Sequence, residues 1–189
     1  TIDYANACYD VGKVYEHLKE RELCVKYRLM GIDSLLKLEQ SDKIKRALAT
    51  AYGNLSHIYR NHLKDVENTI ICAQKSLEYK ESFEKNKSYG ISLYNLGRAF
   101  AMNNEFKKSA DLIQQALQYF KESSNKEIYQ KSVLEVNLGI IVNEFDKKTA
   151  EKLLKKSIQK IESEDISIYI STEVNKRIEI GKNILNLND

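Results

Sequence analysis

Apolar and polar residues follow one another along this chain with the period of a helix, and one short pattern keeps returning. Tyr9-Asp10-Val11-Gly12-Lys13-Val14-Tyr15, Gly53-Asn54-Leu55-Ser56-His57-Ile58-Tyr59, Tyr94-Asn95-Leu96-Gly97-Arg98-Ala99-Phe100 and Val136-Asn137-Leu138-Gly139-Ile140-Ile141-Val142 read alike, and Ile178-Glu179-Ile180-Gly181-Lys182-Asn183-Ile184 is a weaker copy. Their small residues, Gly12, Ser56, Gly97, Gly139 and Gly181, are spaced by 44, 41, 42 and 42 positions. A closed bundle has no cause to keep such a period, whereas stacked copies of one supersecondary unit do. The pattern predicts helix pairs over 4–18 with 21–38, 43–61 with 65–83, 88–102 with 106–122 and 127–143 with 147–162, then a last helix over 166–186. Ser41, Asn125 and Asp146 stand where N-caps belong, each offering an oxygen to backbone donors of the first turn.

The third unit shows why these residues sit where they do. Gly97 and Ala99 let a second helix approach, while Leu96 and Phe100 fill the space beside them. Asn103-Asn104-Glu105-Phe106 breaks the helix, and a second one follows with Ser109, Ala110, Ala116 and Leu117 along its inner stripe. This unit resembles the tetratricopeptide repeat. The resemblance implies an all-α chain, an α-α superhelix of about four and a half helix pairs, spanning 1–189 as one solenoid. It also implies a module that holds a peptide or protein segment. Departures are plain. The period exceeds the usual ~34 residues, the proline that closes such units is missing, and Glu135 and Arg177 stand where a large apolar residue is expected.

Composition narrows the class further. Among 189 residues there is no proline and there are seven glycines, which removes the usual punctuation of β-turns. A formal net charge of +3 does not mark a binder of nucleic acid or of membrane surfaces. The longest apolar run, Leu138 to Val142, is far too short to cross a bilayer. Cys8, Cys24 and Cys72 have no metal-ligand spacing and are read as reduced core residues of a cytoplasmic protein. Thr1 opens almost directly into a periodic segment, so the chain is expected to be part of a larger protein.

Stacked pairs leave one surface to the first helices of each pair, and this is the expected groove. At about 100° per residue, Leu96 and Phe100 face the core while Ile91, Tyr94, Asn95, Arg98 and Met102 face the groove. The same register picks out Asn6, Tyr9, Asp10, Lys13 and His17 in the first unit, and Thr50, Asn54, His57 and Asn61 in the second. In the fourth it picks out Val133, Val136, Asn137 and Ile140. Asn54, Asn95 and Asn137 form a ladder of amides, each with donors and an acceptor. Two readings stand: the ladder binds the backbone of an extended peptide, or it joins neighbouring helices. Val133, Val136 and Ile140 likewise line an apolar pocket for a ligand, or are filled by a neighbouring element absent from this segment.

Catalytic chemistry is not indicated. His57 and His62 are five apart, which on an α-helix separates them by about 140° and denies them a common metal or proton. Neither a cofactor nor a metal is expected. Lys147, Lys148, Lys152, Lys155, Lys156 and Lys160 lie on a second helix and read as a solvated face. The long units and the Asn ladder resemble the peptide-receiving domains of Rap- and PlcR-type regulators, and also the sensor arrays of bacterial signalling ATPases. The competing class is a non-catalytic subdomain of a larger signalling enzyme. On the last helix Ile166, Tyr169, Ile170, Val174, Ile178, Ile180, Ile184, Leu185 and Leu187 cover about half the circumference. That width predicts a further helix or a second copy at this end.

Overall fold

The computed structural model describes residues 1–83, 85–163 and 171–186. Among them are nine α-helices, one π-helical turn and no strand. They fall into two units, Thr1–Lys85 and Asn86–Asp189.

In the first unit α1 (Ile2–His17) pairs with α2 (Arg21–Leu36), and α3 (Asp42–Ile58) with α4 (Val66–Glu81). Helix α2 also packs on α3, which closes a core around Ile32, Leu35, Ile44, Leu48, Tyr52 and Leu55. Gly12 marks a point of close approach: a Cβ there would lie 3.0 Å from Arg28 Cγ and 3.3 Å from the Cys24 carbonyl oxygen. Ser56 does the same work by a hydrogen bond, its buried hydroxyl donating to the Thr69 carbonyl at 3.0 Å.

In the second unit α5 (Lys87–Met102) pairs with α6 (Phe106–Leu117), and α7 (Asn125–Val142) with α8 (Lys147–Ile161). Helix α9 (Thr172–Ile184) lies against α7 and α8. Gly97 faces Ile113, Gly139 faces Leu154, and Gly181 faces Ile158 and Leu154. The repeat's small residues are therefore the contact points the sequence predicts. Val174, Ile178, Ile184 and Leu185 join the cluster built on Leu154, Ile158 and Ile161, whereas Ile180 is exposed. Ile166, Tyr169, Ile170 and Leu187 lie outside the described residues.

Boundaries move at four places, one of them the last helix, which starts at Thr172 behind the N-cap Ser171 rather than at 166. The cap of α7 is Ser124, not Asn125: its Oγ accepts from the Glu127 amide at 3.3 Å, and Glu127 accepts from the Ser123 amide at 3.1 Å. Helix α6 ends at Leu117, short of residue 122, because Gln118 to Phe120 turn so that Phe120 is buried. Gly90 leaves room for that turn; a Cβ on it would meet Tyr119 Cβ at 2.7 Å.

The fourth difference changes the chemistry. Helix α3 runs into a π-helical turn, Tyr59–Leu63, closed by Lys64 with φ of 57°. The wider turn rotates His62 back toward His57, and the two rings meet edge to face at 6.1 Å. The α-helical divergence expected of this pair is thus overturned.

All three cysteines are buried and unpaired with one another. Burial pushes the Cys72 thiol up to about 11, partly offset by Lys75. A thiol raised in this way stays protonated between its ordinary value and about 11, so folding holds a proton that the unfolded chain loses. Stability from this residue is therefore present below that window and is lost as pH rises through it. At pH 9, iodoacetamide should label Cys72 far more slowly in the folded chain than in urea, as read by peptide mass spectrometry.

Candidate functional site

The first unit contains a cleft of about 440 Å³ between α1, α2 and α3. Its floor is apolar, from Ala5, Gly31, Ile32, Leu35, Ala47 and Ala51. Asn6, Tyr9 and Thr50, all in the expected groove register, form its walls together with Arg28 and Arg46. Gly31 is what lets α2 close on α1 beneath the cleft, since a Cβ there would lie 3.1 Å from the Ala5 carbonyl oxygen.

Tyr9 is held from both sides. Asn54 Nδ2 donates to its hydroxyl at 3.1 Å, and the Arg28 guanidinium lies 4.7 Å from its ring centroid. Arg28 is only 6% exposed and pairs with Glu16 at 2.6 Å. Burial alone would lower its pKa, but contacts with Cys24, Tyr9 and Glu16 outweigh that and raise it. Arg46 is exposed, with its guanidinium 4.1 Å from the Phe83 ring centroid. The cleft thus offers a flat apolar base, hydroxyl and amide groups, and a cation at its edge.

A second polar cluster lies in the other unit. Asn137, buried at 5% exposure, donates through Nδ2 to the Tyr94 hydroxyl at 2.6 Å and to the Val133 carbonyl at 2.7 Å. Its Oδ1 accepts from Arg177, which also pairs with Glu173 at 2.8 Å. Arg98 stacks on Tyr94 at 5.6 Å and reaches Glu173 at 3.7 Å. Burial, with Arg177 close by, lowers the Arg98 pKa against the pull of Tyr94 and Glu173.

Asn54 and Asn137 therefore share one habit: each amide bonds a tyrosine on the first helix of the pair before it. Asn95 is half-buried at the matching place on α5, as are Tyr94, Arg98 and Met102. His57 is exposed beside the π turn. Val133 and Ile140 are half-buried against the cluster shared with α8 and α9, and Val136 is 1% exposed within it. The covering element is not outside the segment, as the second reading had it, but its own α9. Val136 has accordingly no surface for a ligand to meet. Arg28 was missed because it sits on a second helix; the charged Arg177 in an apolar position was the one visible sign of the Asn137 cluster.

Stacked pairs of antiparallel helices joined through small residues define a helical-repeat protein. Residues 47–122 match the tetratricopeptide repeat, and the fold is of that type. Aspartyl phosphate phosphatase F from Bacillus subtilis superposes with a TM-score of 0.67 at 18% identity over 98% of this chain. The apo form of RapI gives 0.68 at 16% identity over 98%, and BtubC (BKLC) from P. vanneervenii 0.67 at 12% over 93%. The chain spans 50% of the phosphatase, 53% of RapI and 74% of BtubC. No curated protein matches the sequence significantly.

Proposed function

We propose that this protein is a binding scaffold that holds an extended peptide or a protein segment against its first helices. The observation that carries this is the cleft between α1, α2 and α3, where apolar floor and polar walls combine on residues of the groove register. Small-molecule and peptide side-chain sites share this make-up: apolar area for affinity, a few polar groups for orientation. Arg46 at the edge favours a segment carrying a carboxylate. Asn54, His57, Tyr94, Asn95, Arg98 and Met102 are the further contacts proposed, with Val133 and Ile140 at a partly covered margin. Asn137 and Val136 support that surface from beneath.

The likeness to aspartyl phosphate phosphatase F and RapI, at about half their lengths, supports a regulatory or sensor module within a longer protein. The same likeness to a phosphatase favours, as a second reading, a non-catalytic part of a signalling enzyme. Three unpaired buried thiols support a reducing, cytoplasmic compartment.

The test is selection of binders from a random peptide display library on the intact chain. Enriched peptides should carry an acidic residue beside apolar ones. Their affinity should fall at least about tenfold, or ~1.4 kcal/mol, on Thr50→Trp, which fills the cleft, and on Arg46→Glu. Lys152→Glu, on the exposed face of α8, should leave them bound. Enrichment indifferent to both cleft variants would reject the proposal.

A further inference from the structure

We propose that Glu16, His57 and His62 form a binding site for one divalent transition-metal ion of the zinc class. One ligand atom from each of the three lies within 4.8 Å of the others. Glu16 Oε1 is already 3.6 Å from His62 Nε2. Bonds of ~2.0–2.2 Å to a shared ion set ligand atoms a little over 3 Å apart, so small side-chain rotations complete the site.

The backbone makes this possible. Five residues apart on an α-helix the two imidazoles would point about 140° apart. The π turn at Tyr59–Leu63 removes that divergence, and π turns of this kind gather at functional sites. Glu16 comes from the last turn of α1, so the three ligands join the ends of the first and second helix pairs.

The surroundings fit a metal's outer shell. Arg28 holds Glu16 Oε2 at 2.6 Å, which leaves Oε1 turned toward His62. Outer partners of this kind orient ligands and tune their basicity. A cavity of about 360 Å³, lined by Glu16, His62, His17, Lys19, Arg21 and Cys24 among others, opens beside the site and has room for water to complete the shell. Two imidazoles and one carboxylate suit zinc, cobalt or nickel rather than calcium or magnesium, which take oxygen ligands. The cations Lys19 and Arg21 nearby weaken the attraction of the site for a second positive charge.

The experiment titrates the intact chain with Co²⁺ and then displaces it with Zn²⁺. One equivalent should produce a visible ligand-field band without thiolate charge transfer, and Zn²⁺ should raise the melting temperature. His57→Gln and His62→Gln, with folding checked by circular dichroism, should each weaken binding at least about tenfold. His17→Gln should bind as the parent chain does. The proposal is overturned by absence of a stoichiometric band, by a thiolate band arising from Cys24, or by dependence on His17 equal to that on His62.

Discussion

Gly97→Leu should lower the stability of the second unit by about 3 kcal/mol, the largest effect expected of any single replacement here. The new side chain has nowhere to go. Its Cβ alone would stand 2.8 Å from Ile113 Cγ1, 3.1 Å from the Ser109 carbonyl oxygen and 3.4 Å from Leu112 Cβ. Ile113 is fully buried, and a carbonyl in α6 cannot swing aside as a long side chain can. Relief must come from pushing α5 away from α6, which forfeits contact along the whole pair. Gly53→Ala supplies the contrast: its Cβ meets only the Ser76 side chain, at 3.2 Å. There the gain in helix propensity of ~0.5–1 kcal/mol should roughly balance the contact. Urea unfolding of both variants, followed by circular dichroism, measures the difference.

Asn137→Ala should cost the same unit about 2 kcal/mol. The side chain spends both donors and its acceptor inside the protein, on Tyr94, Val133 and Arg177. Removing it leaves the Tyr94 hydroxyl and the Arg177 guanidinium short of partners where water enters poorly. Asn137→Asp is the informative companion. A carboxylate keeps the bond to Arg177 and can still accept from the Tyr94 hydroxyl, but it cannot donate to the Val133 carbonyl. It should therefore recover part of the loss. Equal loss in both variants would assign the effect to packing alone.

These two residues also mark what could and could not be read from the sequence. Gly97 was legible because the helix-pair contact leaves a periodic trace, one small residue per unit, that survives even where Ser56 replaces glycine. The role of Asn137 was legible only as one of two alternatives. An amide on a groove-facing register looks the same whether it waits for a peptide or bonds a tyrosine 43 positions earlier. What decides between them is the distance between side chains of successive helix pairs, which a one-dimensional pattern does not contain. Arg28 shows the same limit: nothing in its neighbourhood in sequence places it under Tyr9.

The π turn was invisible for another reason. Residues Tyr59 to Leu63 carry no turn signal that marks a wider turn, in which Tyr59 and Arg60 are buried and which Lys64 ends in the left-handed region. That one local choice reversed the expected relation of His57 and His62. The apolar stripe of α7 was legible only as a ligand pocket or a surface filled from outside the segment, whereas Val174, Ile178, Ile184 and Leu185 of the chain's own α9 pack on it.

The central claim is that ligands lie across the first helices, anchored in the cleft of the first unit. Photo-cross-linking of a library-selected peptide to the intact chain, with the joined residues located by mass spectrometry, tests it most directly. The account predicts cross-links at Asn6, Tyr9 and Thr50. Cross-links confined to the exposed faces of second helices, at Lys152 or Lys156 for example, would contradict it.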